Sequence, residues 1–304
     1  MTKIKRIIVL CLLFAVLCGC SQRMKNDEFF AMDTYMSISL NGDEEDIQAV
    51  KEEIYRLDAL LGWDSMDISD PELKSLAEES KKISEFTNGA FDITVAPLLE
   101  IWGFRSKNYK IPSSVEIQKA LDTVGYNKES ENRQFDFGAV AKGYAGDKIR
   151  QILIHRGVES AIVSLGGNVV AIGRNNNGRL WKVGIKDPQG QGYIGYVEVE
   201  DACVVTSGGY ERFFESDGKR YSHIINPKTG WPAGDGIGSV TVVSENGTLA
   251  DALSTAFYVM GKDATQQFCK SCDYKMNNSS FSVIFIDAKG GVSVFGSLEF
   301  EERE

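Results

Sequence analysis

The segment Ser239–Gly261, SVTVVSENGTLADALSTAFYVMG, runs from an alternating strand pattern into a helix that carries Asp251 and Thr255. One helical turn separates the two, so carboxylate and hydroxyl stack on one face. That oxygen pair suits a hard metal cation. By itself an Asp and a Thr at this spacing are more often a surface pair. Three further segments add weight, because each has the makings of a phosphate-handling part: Phe135–Tyr144, Thr206–Tyr210 and Ser222–Gly230.

In Asp136-Phe137-Gly138-Ala139-Val140-Ala141-Lys142-Gly143, a strand end, a glycine turn and a helix start would gather backbone N–H groups and Lys142. Such an arrangement cradles phosphate. Asp136 could accept hydrogen bonds from a ribose or a base. The plain alternative is a strand–helix corner with a solvated lysine. Thr206-Ser207-Gly208-Gly209-Tyr210 follows a strand, and its glycines let backbone approach a ligand closely. An ordinary turn explains it equally well. Ser222–Gly230, SHIINPKTG, places His223 before an Asx-type turn and a proline. His223 has the chemistry of a base or of a hydrogen-bond donor to phosphate, although a turn needs neither.

Other motifs carry less. Gly190–Gly195 matches GxGxxG, but it follows Asp187-Pro188 and opens an alternating strand instead of a helix, so it reads as a turn. No GxSxG elbow accompanies the 2 histidines. His155 lies late in an amphipathic helix, where a cation is favourable for structural reasons. Cys269 and Cys272 form a CxxC after helical sequence rather than at a helix start, which points to a local disulfide or two free thiols.

Elements of both kinds must position these residues. Met36–Leu40 alternates as a strand, and Asp43–Leu61 repeats Ile47, Val50, Ile54, Leu57 and Leu61 at helical spacing after an acidic first turn. Asp70-Pro71 reads as an N-cap followed by an N1 proline, with the helix stopping near Asn88-Gly89. A strand is expected over Phe91–Val95, a short helix near Val115–Val124, a strand ending at Phe135–Phe137 and a helix over Lys142–His155. Further strands are expected at Ala161–Leu165, Trp181–Ile185, Tyr193–Val199 and Cys203–Thr206, with a closing hairpin FSVIFID–AKGG–VSVFG. The mixture lacks a regular βαβ rhythm, so the expected class is α+β, with mixed helices and antiparallel-rich sheets.

The chain of 304 residues opens MTKIKRIIVLCLLFAVLCGC: a basic start, an apolar run too short to span a bilayer permanently, and Leu17-Cys18-Gly19-Cys20. That ending resembles a bacterial lipobox, which implies cleavage before Cys20 and its acylation. The expected organisation is therefore a lipoprotein signal peptide over 1–19, a polar tether over 20–28 and one domain over 29–304. The net charge of −10 argues against nucleic acid as a partner. It also means that an anionic ligand needs local help, such as a cation.

Taken in order, the segments resemble the ApbE family of FAD:protein FMN transferases. The resemblance rests on Ala31-Met32-Asp33-Thr34, Gly89–Leu98 with Trp102-Gly103-Phe104, Asp136–Tyr144, Ser164–Gly167, Thr206–Tyr210, Ser222–Gly230 and Asp251–Thr255. It implies an exported, membrane-anchored bacterial lipoprotein with an ApbE-type fold related to the T-fold. It implies that Met32, Ala90, Phe91, Asp92, Asp136, Lys142 and the backbone near Ile224 line an FAD site, with Trp63 the aromatic that stacks on a ring. It further implies that Ala139, through its carbonyl, holds Mg2+ with Asp251 and Thr255, with Ser254 beside them where some relatives carry Asp. The expected reaction moves FMN from FAD to a Thr or Ser hydroxyl of an exported acceptor protein and releases AMP. Asp251 and His223 are the expected catalytic residues, His223 taking the hydroxyl proton or steadying phosphoryl oxygens. Two other readings use the same residues: an FAD pyrophosphatase with water as nucleophile, and a flavin-binding lipoprotein without chemistry.

Overall fold

A computed structural model describes residues 24–62, 68–128, 133–276 and 278–303. The leader, Cys20 and Trp63 lie outside the described residues.

The chain begins with a hairpin of β1 (Lys25–Ala31) and β2 (Thr34–Leu40). Ala31 pairs with Thr34, so Met32 and Asp33 form a two-residue turn, with φ of 49° and 58°. Two left-handed residues give the turn whose twist matches the strands. Asp tolerates that conformation, whereas Met does so under strain. The Met32 N–H donates to Asp58 Oδ2 at 3.0 Å, which ties the turn to the next helix. Lys25–Glu28, read from sequence as tether, belongs to β1. Their polar run shows no alternation, and only pairing with β2 makes them a strand.

Helix α1 (Glu44–Leu61) starts at a capping box of Asp43 and Asp46 and buries Ile47, Val50, Ile54 and Leu57. Helix α2 (Pro71–Phe86) is capped by Asp70 with the proline in its first turn, and it ends before Asn88 and Gly89, both left-handed. A 3-10 turn (Ile93–Val95) and the short helices α3 (Ala96–Ile101) and α4 (Ser114–Leu121) lead to α5 (Ala141–His155). Then follow β3 (Ala161–Leu165), β4 (Asn168–Ile172), β5 (Trp181–Lys186), β6 (Tyr193–Val199), β7 (Cys203–Gly208), β8 (Phe213–Ser216), β9 (Lys219–Ser222) and β10 (Ile237–Ser244). The chain closes with α6 (Gly247–Met260), α7 (Lys262–Ser271), β11 (Lys275–Met276), β12 (Ser279–Asp287), β13 (Val292–Phe295) and β14 (Glu301–Glu302).

Nine of these strands form one sheet in the order β1-β2-β3-β4-β7-β10-β12-β11, with β13 beside β12. The strand pairings within it are antiparallel. The sheet is a middle layer. Val242 of β10 faces a core shared with α1, α2, α5 and α6, whereas the next residue, Val243, faces a second core under the small sheet β14-β6-β5. A third cluster joins α3 and α4 to the β8–β9 hairpin around Trp102, whose indole N–H donates to the Gly230 carbonyl at 2.8 Å. The fold is α+β, as the mixed pattern indicated. No described helix is long and apolar enough to cross a membrane.

Two expected strands near the site do not form. In Phe91–Val95, Asp92 Oδ1 accepts from the Thr94 N–H at 2.8 Å and the Thr94 hydroxyl at 2.6 Å, and this local bonding winds the chain into the 3-10 turn. Phe135–Phe137 is irregular: the Asp136 N–H donates to Ile93 O at 2.6 Å, and its carboxylate accepts from Gly138 N–H at 2.6 Å. The remaining expected elements match to within a few residues at their ends. Strand β7 runs on through Gly208, so Thr206–Gly208 lies within the sheet, opposite Ser239–Thr241 of β10. Cys269 and Cys272 are free thiols.

Candidate functional site

One cavity opens where the start of α5 meets the middle of α6. Asp251, Thr255, Ala139, Lys142, Asp136, Asp92, His223 and Ile224 all face it, together with Ala90 and Phe91. A second cleft adjoins it, lined by Met32, Phe30, Asp58 and Gly62, and the two share Asp136, Gly138, Lys142 and Arg212. Residues from distant parts of the chain therefore line one continuous groove. Trp63 follows Gly62 at the groove's edge in sequence but lies outside the described residues.

Asp251 is 5% exposed, and Gly143 N–H donates to its Oδ2 at 2.8 Å. Burial pushes its carboxyl up to about 6, against the opposing pull of Lys142 and the Gly143 N–H. A buried carboxylate left in that condition is short of positive charge. Thr255 lines the cavity one helical turn further on, with its hydroxyl 3.1 Å from Ser207 Oγ. Ser254 does not join them. It is fully buried, its hydroxyl donates to the Asp251 carbonyl at 2.8 Å, and Ser207 Oγ is its other partner at 2.8 Å. One residue of helix turns the side chain about 100° away from the face that Asp251 and Thr255 share. Ser254 is therefore withdrawn from the expected ligand set.

Among the described residues there is no cluster of three or more His, Cys, Asp and Glu side chains able to hold a metal. Asp251 would be the single carboxylate of the expected donor set, which is made of oxygens only: its own, the Thr255 hydroxyl and the backbone at Ala139, three residues that all line the cavity. So few protein ligands suit Mg2+, which keeps waters and binds substrate phosphates. A zinc or iron site would call for nitrogen or sulfur donors.

Asp136 lines the same cavity; its Oδ1 accepts from Gly138 N–H, whereas Oδ2 is buried without a hydrogen-bond partner. Burial raises the pKa of this carboxyl and also that of Asp92. An orphaned buried acceptor facing a cavity fits a ligand that brings a donor, such as an amino group or a hydroxyl. His223 is half-buried, and its Nδ1 lies 3.1 Å from the Arg212 carbonyl. A carbonyl only accepts, so Nδ1 carries the proton and Nε2 is left as a free acceptor in the neutral ring. Burial, helped by Arg212 and Lys142, lowers the imidazole to about 4, which keeps it neutral at physiological pH.

Sequence reasoning missed Glu211 and Arg212. Both line the cavity, and Arg212 lies where the two clefts merge. The available signal was their place directly after the Gly208-Gly209-Tyr210 stretch, where a strand ends against the site. Phe104 was named only within a motif, yet it forms part of the cavity wall.

The class defined by this architecture and groove is an α+β protein with a cleft of mixed polar and apolar lining where the start of one helix packs on the middle of another. The ApbE protein of Thermotoga maritima has the same fold, with a TM-score of 0.80 and 32% identity over 89% of this chain and 96% of that one. The ApbE family model matches residues 32–277, and the chain belongs to that family. It is 35% identical over 246 residues to the FAD:protein FMN transferase of Treponema pallidum, an alignment covering 72% of this chain and 66% of that relative. It is 28% identical over 289 residues to an FAD:protein FMN transferase of Klebsiella pneumoniae, covering 90% and 87% respectively.

Proposed function

We propose that this chain is an FAD:protein FMN transferase that acts with Mg2+ on a Thr or Ser hydroxyl of an exported acceptor protein. The observation that carries the reading is the convergence of Asp251, Thr255, Lys142, Asp136 and His223 on one cavity. FAD contains a pyrophosphate. In the reaction the acceptor oxygen forms a bond to the phosphorus on the FMN side, the bond from that phosphorus to the bridging oxygen breaks, and AMP leaves with that oxygen. The hydroxyl proton passes to Nε2 of His223, which is unprotonated in the neutral ring. Lys142 holds the phosphates from the start of α5, and the free Oδ2 of Asp136 takes a donor of the nucleotide. Asp251 and Thr255, with Ala139, would hold Mg2+, which supplies charge neutralisation on the phosphoryl oxygens. The basic and apolar leader ending in Leu17-Cys18-Gly19-Cys20 supports a lipoprotein on the outer side of a bacterial membrane.

The test is mass spectrometry of a candidate acceptor after incubation with the protein, FAD and Mg2+. A gain of one FMN on a Thr or Ser is expected, with loss of the product in EDTA. Asp251→Ala should abolish transfer while the protein stays folded, because the charge it handles develops in the transition state. Rapid release of free FMN without any acceptor would instead favour the pyrophosphatase. Full activity of Asp251→Ala would leave only a flavin-binding lipoprotein.

A further inference from the structure

Asp147 has no part in the cavity, yet it makes an unusual set of bonds. It sits on α5, one turn after Gly143 and on the same face. Its Oδ1 accepts from Gly247 N–H at 2.6 Å, and its Oδ2 accepts from Thr248 N–H at 2.8 Å and the Thr248 hydroxyl at 2.7 Å. These are the first two N–H groups of α6, the helix that carries Asp251 and Thr255. That helix already has a local cap: Asn246 Oδ1 accepts from Leu249 N–H at 2.7 Å, and the Asn246 carbonyl accepts from Ala250 N–H at 3.0 Å. A chain-local cap commonly satisfies an N-terminus with the help of water. A carboxylate from another helix adds attachment to that helix.

A second contact lies one turn further along. Gly143 N–H donates to Asp251, while Asp147 holds Gly247, so two residues of α5 grip two residues of α6 in antiparallel order. The paired glycines allow it. A Cβ on Gly143 would lie 2.2 Å from the Gly247 carbonyl oxygen, and one on Gly247 would lie 2.6 Å from the Gly143 carbonyl oxygen. With backbones this close, α6 has no room to slide without breaking one contact or the other. Ala139 and Lys142 stand at the start of α5, and Asp251 and Thr255 stand on α6. The helix joint therefore sets the distance between the two halves of the site.

We infer that Asp147 is a positioning residue for the cation site: it clamps the start of α6 to α5 and so fixes Asp251 and Thr255 against Ala139. The inference rests on the Mg2+ reading above. Asp147→Asn retains at most part of the grip, because its amide nitrogen cannot accept from the Thr248 N–H or hydroxyl. The experiment is Mn2+ binding to the full chain, followed by EPR with FAD present and no acceptor, alongside flavinylation at graded Mg2+. Asp147→Asn should raise the Mn2+ half-saturation point roughly tenfold, the scale seen when groups supporting metal ligands are removed, and excess Mg2+ should restore transfer. Asn246→Ala is the control. It removes the local cap of the same helix and should lower thermal stability while moving the Mn2+ midpoint by less than about twofold. A wild-type midpoint in Asp147→Asn, or an equal shift in Asn246→Ala, overturns the clamp. Should Asp147→Asn fail to fold, Thr248→Val deletes one of the three bonds and must show a smaller shift in the same direction, its absence also counting against the clamp. If the wild type binds no Mn2+, the metal reading itself fails and takes the clamp's purpose with it.

Discussion

Lys142 reaches both clefts, and its charge favours the ionised form of Asp251 while opposing protonation of His223. A hydrogen bond to a charged phosphate is worth about 1.5–3 kcal/mol, so Lys142→Ala should raise the FAD dissociation constant by roughly one to two decades. Equilibrium titration of FAD measures it, and an unchanged constant with normal thermal stability removes Lys142 from the site. His223 offers a direct check on its surroundings, because the chain has 2 histidines and His223→Gln identifies its NMR signal. In the free protein its midpoint should fall near pH 4. The folded value lies below the ordinary imidazole value, so the unfolded chain binds the proton more readily. This group therefore opposes folding progressively as pH drops from about 6.5 towards the folded value, and not above that window. A midpoint at or above the ordinary value would show that Nε2 is not held as a neutral acceptor.

At the scale of elements, the helices around the groove are tied by polar contacts as well as by their core. Glu72 of α2 accepts from Arg56 of α1 at 2.8 Å and from the Tyr144 hydroxyl of α5 at 2.7 Å, and it pairs with Lys148 of α5 at 3.2 Å. The hydrogen bond from Arg56 is the main cause that lowers its carboxyl to about 2. A folded value below the unfolded one gives stability that is complete above about pH 4.5 and is lost as pH falls towards 2. Glu72→Gln should therefore lower the melting temperature at pH 7, and the gap to wild type should close progressively in acid. A gap that persists unchanged at the lowest pH would show that packing, rather than charge, joins these helices at Glu72.

For the whole molecule, the groove lies on the helical side of a sheet whose other face is sealed by β14-β6-β5. Ligand and acceptor must therefore meet at one side. Acylation at Cys20 would anchor the chain a few residues before β1. One acyl chain binds a membrane only marginally, so firm anchoring calls for more than one. Wild type should partition into detergent and Cys20→Ser into the aqueous phase. Equal aqueous release of both would show that the leader is an ordinary signal peptide.

Much of this was present in the sequence, for a physical reason. Periodicity and caps are local, so α1, α2, β3 and β6 could be placed from spacing, from Asp43 and Asp70, and from alternation. Asp251 and Thr255 were legible as a pair because helical geometry alone puts them on one face. The tertiary structure decided what depends on distant partners. Lys25–Glu28 became strand only by pairing with β2, and Phe91–Val95 and Phe135–Phe137 lost theirs to hydrogen bonds accepted by Asp92 and by the Ile93 carbonyl. Ser254, beside Thr255 in sequence, points into the core and bonds Ser207. Arg212 had only its place after Gly208-Gly209-Tyr210 to mark it, and Asp147 had no readable signal at all. One gains its meaning from where two clefts meet, the other from a helix start 100 residues further along the chain, and no local pattern encodes such a contact.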